Sequence, residues 1–483
     1  MDPMSSVTAT DAVLVATGHP LQRAGAWAVA VLAEQPSPGD VTDQHLDDVA
    51  QRLVDDVCAA ATAPSDSDAY DWWKVLFALY PNSKATHSKR SRLRRDLEPE
   101  IAALFARDEP RGTAVKAYPC TFCGTPATTL WTKSNLPMFD TNKALNTLPA
   151  AVAGWPACRG CRIAAWALPY GAWVTAGSAT VLSCETEAAE RRFAERNVLR
   201  ARRVMQLGFG KLRVGSRPEL VALNALRYAD VELAATTLWS FKNDNQEPWL
   251  RVTHARRAVP RFLAIVQGNA PLRRGWRLLE VALTQRDADG AVVRSGPAEA
   301  ARLLFESEDG DGRSLLVQLN RVLGDPDRRL PLRHRVDATR LAFTYAKEIL
   351  GMEPDLTPVA TMVADWIEHG GGGPRGRWAE FESAHLRPHQ LGQVLDLAKR
   401  RLYATGREVP CTEDDWRPFI LNRPGGWAQR MLLSMAVVRI LQERGVAVSQ
   451  APADPNEEAR VEQLLSQPML SSQEDDDYLM GAV

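Results

Sequence analysis

Two Cys-x2-Cys motifs, Cys120-Thr121-Phe122-Cys123 and Cys158-Arg159-Gly160-Cys161, stand 34 residues apart and constrain the fold more than any other feature. Each can form a knuckle, a tight turn that aims two thiolates at one point. Two such knuckles complete a tetrahedral four-sulfur shell, which suits Zn²⁺. Gly124, directly after the first motif, supplies the tolerance of positive φ that knuckle turns often need. Four thiolates leave no open coordination position, so the expected zinc is structural and contributes about 10–16 kcal/mol to ordering the region. The long spacer predicts an inserted loop between the knuckles. A redox Cys-x2-Cys needs only one pair beside a βαβ unit and is the weaker reading.

The remaining cysteines, Cys58, Cys184 and Cys411, bring the total to seven. An odd, sparse set in 483 residues is not a disulfide framework, and these three read as small buried side chains. The opening Met1-Asp2-Pro3-Met4-Ser5-Ser6 lacks the basic n-region of a secretory signal. Ile163 to Leu182 runs twenty residues without a charge, long enough for a bilayer. It also contains Pro169, Gly171, Thr175, Gly177, Ser178 and Thr180, and reads as two short buried strands around a turn. A cytoplasmic protein with no membrane partner is expected.

Length and a 45% hydrophobic composition predict a globular chain of about three units. Asp40 to Cys58 carries Leu46, Val49, Leu53, Val54 and Val57 at helical spacing. An apolar-aromatic block follows at Trp72 to Tyr80, ended by Pro81-Asn82, then a helical stretch near Leu97 to Arg107 and a long charged helix over Glu185 to Gln206. Leu238 to Phe241 and Trp249 to Val252 flank a polar turn and predict a β-hairpin. Gly370 to Pro374 is the clearest breaker, and beyond Val336 the pattern is helical. In the last of these helices Trp427, Met431, Met435 and Val438 form one apolar face, with Gly445 placed as a C′ glycine. The expected fold is α+β: a mixed N-terminal body with an embedded four-cysteine zinc ribbon, followed by a C-terminal helical bundle. Its divisions are an α-rich part at 1–117, the cysteine region at 118–184, the rest of the body at 185–335, the bundle at 336–470 and an acidic tail at 471–483.

The near balance of 58 basic and 59 acidic residues hides an uneven layout. Glu34 to Asp71 and Asp454 to Asp477 are strongly acidic, which leaves about +16 between Trp72 and Ala453. Lys84, Lys89, Arg90, Arg92, Arg94 and Arg95 form one basic segment, interleaved with small polar residues. Arg251 to Arg277 and Arg328 to Arg340 hold two more. Such runs are often solvated faces. Three of them beside a metal site point to backbone-directed nucleic-acid binding.

Catalytic motifs are missing. There is no phosphate-binding Gly-x4-Gly-Lys loop, no His-Glu-x2-His, no Gly-x-Ser-x-Gly and no His between Cys123 and Cys158 to complete a His-Asn-His nuclease core. His385 and His389 are four apart but Pro388 interrupts them, and both are expected to be exposed.

These features together resemble a known family. Thr17-Gly18-His19-Pro20, then Ala24-Gly25 and an apolar helix, is similar to the TGNPFVDAG-like opening of the CXXC–CXXC subfamily of type I CRISPR–Cas large subunits. His19 stands where that segment has Asn, and Leu21-Gln22-Arg23 where it has Phe-Val-Asp. Leu76 to Ser83 is similar to its Pro-Asn segment, and Ser240 to Gln246, with Pro260 and Phe262 beyond, to its Asn-containing hairpin. The two cysteine motifs are those that name the subfamily, and the likeness covers about residues 14–267. The resemblance implies a non-enzymatic, type I-B-like large subunit of the RNA-guided complex Cascade. It would work with crRNA, target duplex DNA, the backbone, 5′-handle-binding and small subunits, and a recruited helicase–nuclease. Such a subunit recognises the protospacer-adjacent motif, aids strand separation and docks the nuclease, while guide pairing reads the sequence. Asn and Lys bond base edges as well as phosphate, so Asn82, Ser83, Lys84, Lys89, Arg90, Lys133, Asn142, Lys143, Asn243 and Asn245 are the candidate DNA contacts. The alternatives are a zinc-ribbon nuclease with an unrecognised active site and a zinc-stabilised scaffold that binds no nucleic acid.

Overall fold

A computed structural model describes residues 13–108, 117–132, 134–137, 154–212, 217–243, 247–290, 292–307, 310, 312–324, 332–423 and 425–446, with positions 459 and 463. Lys133, Asn142, Lys143, Asn245 and the acidic tail lie outside the described residues. The chain is mixed α+β and mostly helical. It divides into two compact units, the first running to about residue 254 and the second comprising the rest.

The first unit opens with α1 (Pro20–Leu32), α2 (Asp43–Thr62), α3 (Tyr70–Leu79) and α4 (Arg94–Phe105). Four two-residue strands follow, β1 (Tyr118–Pro119), β2 (Pro126–Ala127), β3 (Leu130–Trp131) and β4 (Trp155–Pro156), before α5 (Arg159–Gly171). Strands β5 (Trp173–Val174) and β6 (Ala179–Cys184) lead to α6 (Glu187–Leu207), α7 (Pro218–Tyr228), β7 (Thr236–Lys242) and β8 (Trp249–Ala255). Strands β5 to β8 lie side by side in that order, with Val181 opposite Trp239 in an antiparallel β6–β7 pair. The expected hairpin is present.

Helix α5 corrects the first half of the reading of Ile163 to Leu182. The two short strands around a turn are there, β5 and β6 paired antiparallel, but the residues before them are helical. Every residue from Ile163 to Tyr170 is buried, so the helix has no polar face and its period is invisible in the sequence. Pro169 sits in its last turn. Close packing on α1 explains two glycines: a Cβ on Gly25 would lie 1.8 Å from the Ala164 carbonyl oxygen, and one on Gly171 2.3 Å from that of Ala24. Tyr80 donates to the Ala165 carbonyl and stacks on Trp166 at 4.4 Å. Buried Glu190 on α6 is fully engaged. It accepts from Arg23 at 2.8 Å, Trp27 Nε1 at 3.0 Å and the Cys184 amide at 3.0 Å.

The second unit carries α8 (Val259–Gly268), α9 (Ala270–Leu283), a small β9–β10 hairpin (Gln285–Arg286, Val292–Arg294), α10 (Gly296–Arg302) and β11 (Phe305–Glu306). Then come α11 (Arg313–Gly324), α12 (Leu332–Leu350), α13 (Thr357–His369), α14 (Pro374–Ala384), α15 (Pro388–Ala404), α16 (Glu413–Ile420) and α17 (Gly426–Glu443). The glycine run separates α13 from α14, as expected. Helix α17 packs on α11, α12, α13 and α16. Burial covers Ala428 and every position from Arg430 to Val437, while Trp427 and Val438 of the expected face are only half-buried. The single stripe is therefore replaced by burial nearly all round, the pattern of a central helix. Gly445 terminates it at φ +70°. His385 corrects another expectation: it is buried, its Nδ1 2.7 Å from the Glu382 carbonyl oxygen, while His389 is exposed. No helix among the described residues is long and apolar enough to cross a membrane.

Candidate metal centre

The first cysteine motif occupies the turn of the β1–β2 hairpin. The Cys120 amide donates to the Thr125 carbonyl at 2.7 Å, and the Gly124 amide to that of Cys120 at 2.9 Å. Gly124 adopts φ +79°, the conformation anticipated for it. The second motif is built differently from the expected knuckle. Strand β4 pairs with β3, Leu130 opposite Pro156, and the chain then enters α5 with Cys158 as its N-cap residue and Cys161 in its first turn. The free amides and dipole of that helix end favour negative charge on both sulfurs. A bond from the Thr121 amide to the Pro156 carbonyl, 2.8 Å, ties the two halves together.

The four Sγ atoms lie within 4.8 Å of one another, Cys123 and Cys158 at 3.5 Å. Tetrahedral zinc with bonds of about 2.3 Å separates its sulfurs by about 3.8 Å. The donor set and its spacing fit a metal ion. Cys120 and Cys161 are buried and the other two half-buried. Hydrogen bonds from Cys123, Cys158 and Cys161 pull the Cys120 thiol below its ordinary range. Bonding to Cys120 first, then to its other neighbours and burial, pushes Cys161 up. Four crowded thiols cannot all ionise alone, and a divalent cation removes that conflict.

Tertiary structure wraps the centre in residues that no spacing rule identifies. Gln22, 1% exposed, points its Nε2 at the Cys161 sulfur, 3.6 Å away, and donates to the Val15 carbonyl at 2.7 Å. Its Oε1 accepts from the amide and hydroxyl of Thr17 at 2.9 and 2.7 Å. His19 sets its ring edge-on to Phe122 inside the first motif, at 5.2 Å. The Thr17 to Gln22 segment thus packs against the cysteines. Arg159 and Arg162 satisfy three successive carbonyls at the end of α4, those of Phe105 (2.9 Å), Leu104 (2.7 Å) and Ala106 (2.9 Å). They also pair with Asp47 at 2.5 Å and Asp108 at 3.0 Å.

The candidate DNA contacts fall into two groups. Asn82, Ser83, Lys84, Lys89 and Arg90 lie on the segment between α3 and α4, and Asn243 meets the end of α3 that leads into it: its amide and Nδ2 donate to the Ala78 and Leu79 carbonyls at 3.2 and 2.8 Å. Ser83 is 3% exposed and its hydroxyl lies 3.0 Å from that of Thr86. Lys84 pairs with Glu100 at 2.6 Å. Arg90 donates to the Ala61 carbonyl at 2.9 Å and lies over the Trp73 ring. Lys89 is exposed. Lys133, Asn142, Lys143 and Asn245 are the ones outside the described residues. In the second basic zone several arginines pair internally, Arg261 with Glu348 at 2.9 Å and Arg274 with Asp337 at 2.8 Å.

No protein-family model matches the chain, and neither curated proteins nor solved structures give a match.

Proposed function

We propose that the protein is a non-catalytic large subunit of an RNA-guided type I CRISPR surveillance complex, with a structural zinc ion held by Cys120, Cys123, Cys158 and Cys161. The supporting observation is convergence. The Thr17 to Gln22 segment packs on the cysteine centre, and the Leu76 to Ser83 segment is bonded to Asn243 of the β7–β8 turn. These four pieces of sequence carry the family resemblance, and each meets another in the first unit. In this reading the unit recognises the protospacer-adjacent motif in duplex DNA through Asn, Lys and Arg side chains, and guide pairing supplies the sequence test. The second unit serves the displaced strand and partner subunits, with the helicase–nuclease recruited to the assembly.

Purification of the tagged chain from its native host, with sequencing of the RNA that accompanies it, tests the reading. A discrete repeat-derived guide together with backbone subunits is expected. Bulk nucleic acid, or none, with about one zinc per chain overturns it and favours a nuclease or a scaffold.

A further inference from the structure

Helix α3 carries a ladder of three aromatic rings at positions 70, 73 and 77. Tyr70 and Trp73 are stacked at 4.8 Å and 18°, and Trp73 and Phe77 at 5.3 Å and 24°. A core ladder would end against other side chains. This one ends in Phe77, which is 41% exposed. The neighbouring segment holds the ladder in place, since Trp73 Nε1 donates to the Ala85 carbonyl at 3.2 Å and the Arg90 guanidinium lies 4.1 Å from the Trp73 ring centroid.

The segment that holds the ladder carries cations without carboxylate partners. Arg90 and Arg92 donate to backbone carbonyls, those of Ala61 (2.9 Å) and Ala63 (3.5 Å), and Lys89 is exposed. Among the described residues none of these three pairs with a carboxylate. The carboxylate of α3, Asp71, is already engaged by Lys74 and the Phe209 amide, both at 2.6 Å. A fixed ring with an exposed surface, on a ladder held by a segment that carries unpaired cations, fits a ligand with flat π-faces spaced along a phosphate chain. In a duplex the base faces are covered by their neighbours, so only an unpaired strand offers both parts together.

We propose that Phe77 is a stacking platform for a base of single-stranded nucleic acid, with Lys89 and Arg92 on the adjoining phosphates. This deepens the function proposed above, on which it rests, by naming the form of nucleic acid that this face of the first unit receives.

Anisotropy of the full-length, zinc-loaded chain with a labelled 20-nucleotide single strand, and with the matching duplex, tests it. Phe77→Ala is expected to weaken single-strand binding by ~5- to ~100-fold. Its salt dependence and its duplex affinity stay unchanged, and Phe77→Trp keeps the affinity. Lys89→Ala with Arg92→Ala is expected to reduce the salt slope by about 0.7 for each phosphate that is no longer neutralised. Equal losses on single strand and duplex, or no loss at all, overturn the platform. Unchanged strand affinity with loss of a protein neighbour from the native assembly assigns the face to a protein contact and overturns it too. A wild-type chain that retains no single strand also sinks the platform. The guide-RNA reading is tested separately by co-purification.

Discussion

The cysteine region and helix α17 reach order by opposite means. Around the cysteines the strands are two residues long, and the local apolar cluster is Cys120, Ala127 and Cys161 with Phe122, Cys123 and Cys158 beside them. Trp131, Leu136 and Ala157 anchor the region on the large core of the first unit, but the cysteine turn itself buries little, and a metal on the four sulfurs is expected to order it. Helix α17 buries ten or more residues against four neighbouring helices and requires no ion. The first kind of order is written in spacing. The second is written in surroundings, and its sequence pattern understates it.

Metal loss should separate the two regions most sharply. Cys120→Ser with Cys158→Ser is expected to abolish binding worth about 10–16 kcal/mol. Elemental analysis should find the metal gone, and hydrogen exchange should become fast over 118–131 and 155–162 yet stay slow in α13 and α17. Full protection without metal would refute the contrast. The reciprocal change, Leu433→Ala at a fully buried site of α17, is expected to cost about 2–5 kcal/mol with metal content unchanged. Gly25→Ala forces a methyl onto the Ala164 carbonyl and is expected to cost about 1–3 kcal/mol through overpacking of α1 on α5. A melting midpoint equal to wild type would show that these helices part easily.

Smaller effects sharpen the comparison in each unit. Burial, more than the neighbouring Arg430, lowers the His385 imidazole below its usual value. Folding therefore favours neutral His385, and its contribution is present above about pH 6.5 and lost as pH falls. The denaturation midpoint of the second unit should fall between pH 7.5 and 5.5, and less so in His385→Gln; equal pH slopes would remove this histidine from the account. Lys84→Ala, which breaks an exposed pair with Glu100, should change stability by less than about 1 kcal/mol, at the limit of a urea titration.

Much of the architecture is legible in the sequence. The α2 periodicity, the long charged α6, the β7–β8 hairpin and the break at Gly370 need only local pattern, and all are present. Helix α5 is hidden because total burial removes the polar residues that reveal a period. The burial of His385 escapes for a related reason: Pro388 marks the start of a helix and says nothing about whether the preceding turn is covered.

By itself the sequence determined that four thiols share one point, because two short motifs with free thiolates have few other stable arrangements, and that a helical second half follows. Only the tertiary structure decided that the second motif would use a helix start, with Gln22 on its sulfur and two arginines on the end of α4. Cys161 and Gln22 are 139 residues apart, and no local propensity reaches that far. The same holds for the aromatic ladder. Spacing alone puts Tyr70, Trp73 and Phe77 on one side of a helix, but whether that side faces core or solvent depends on what the rest of the chain leaves uncovered.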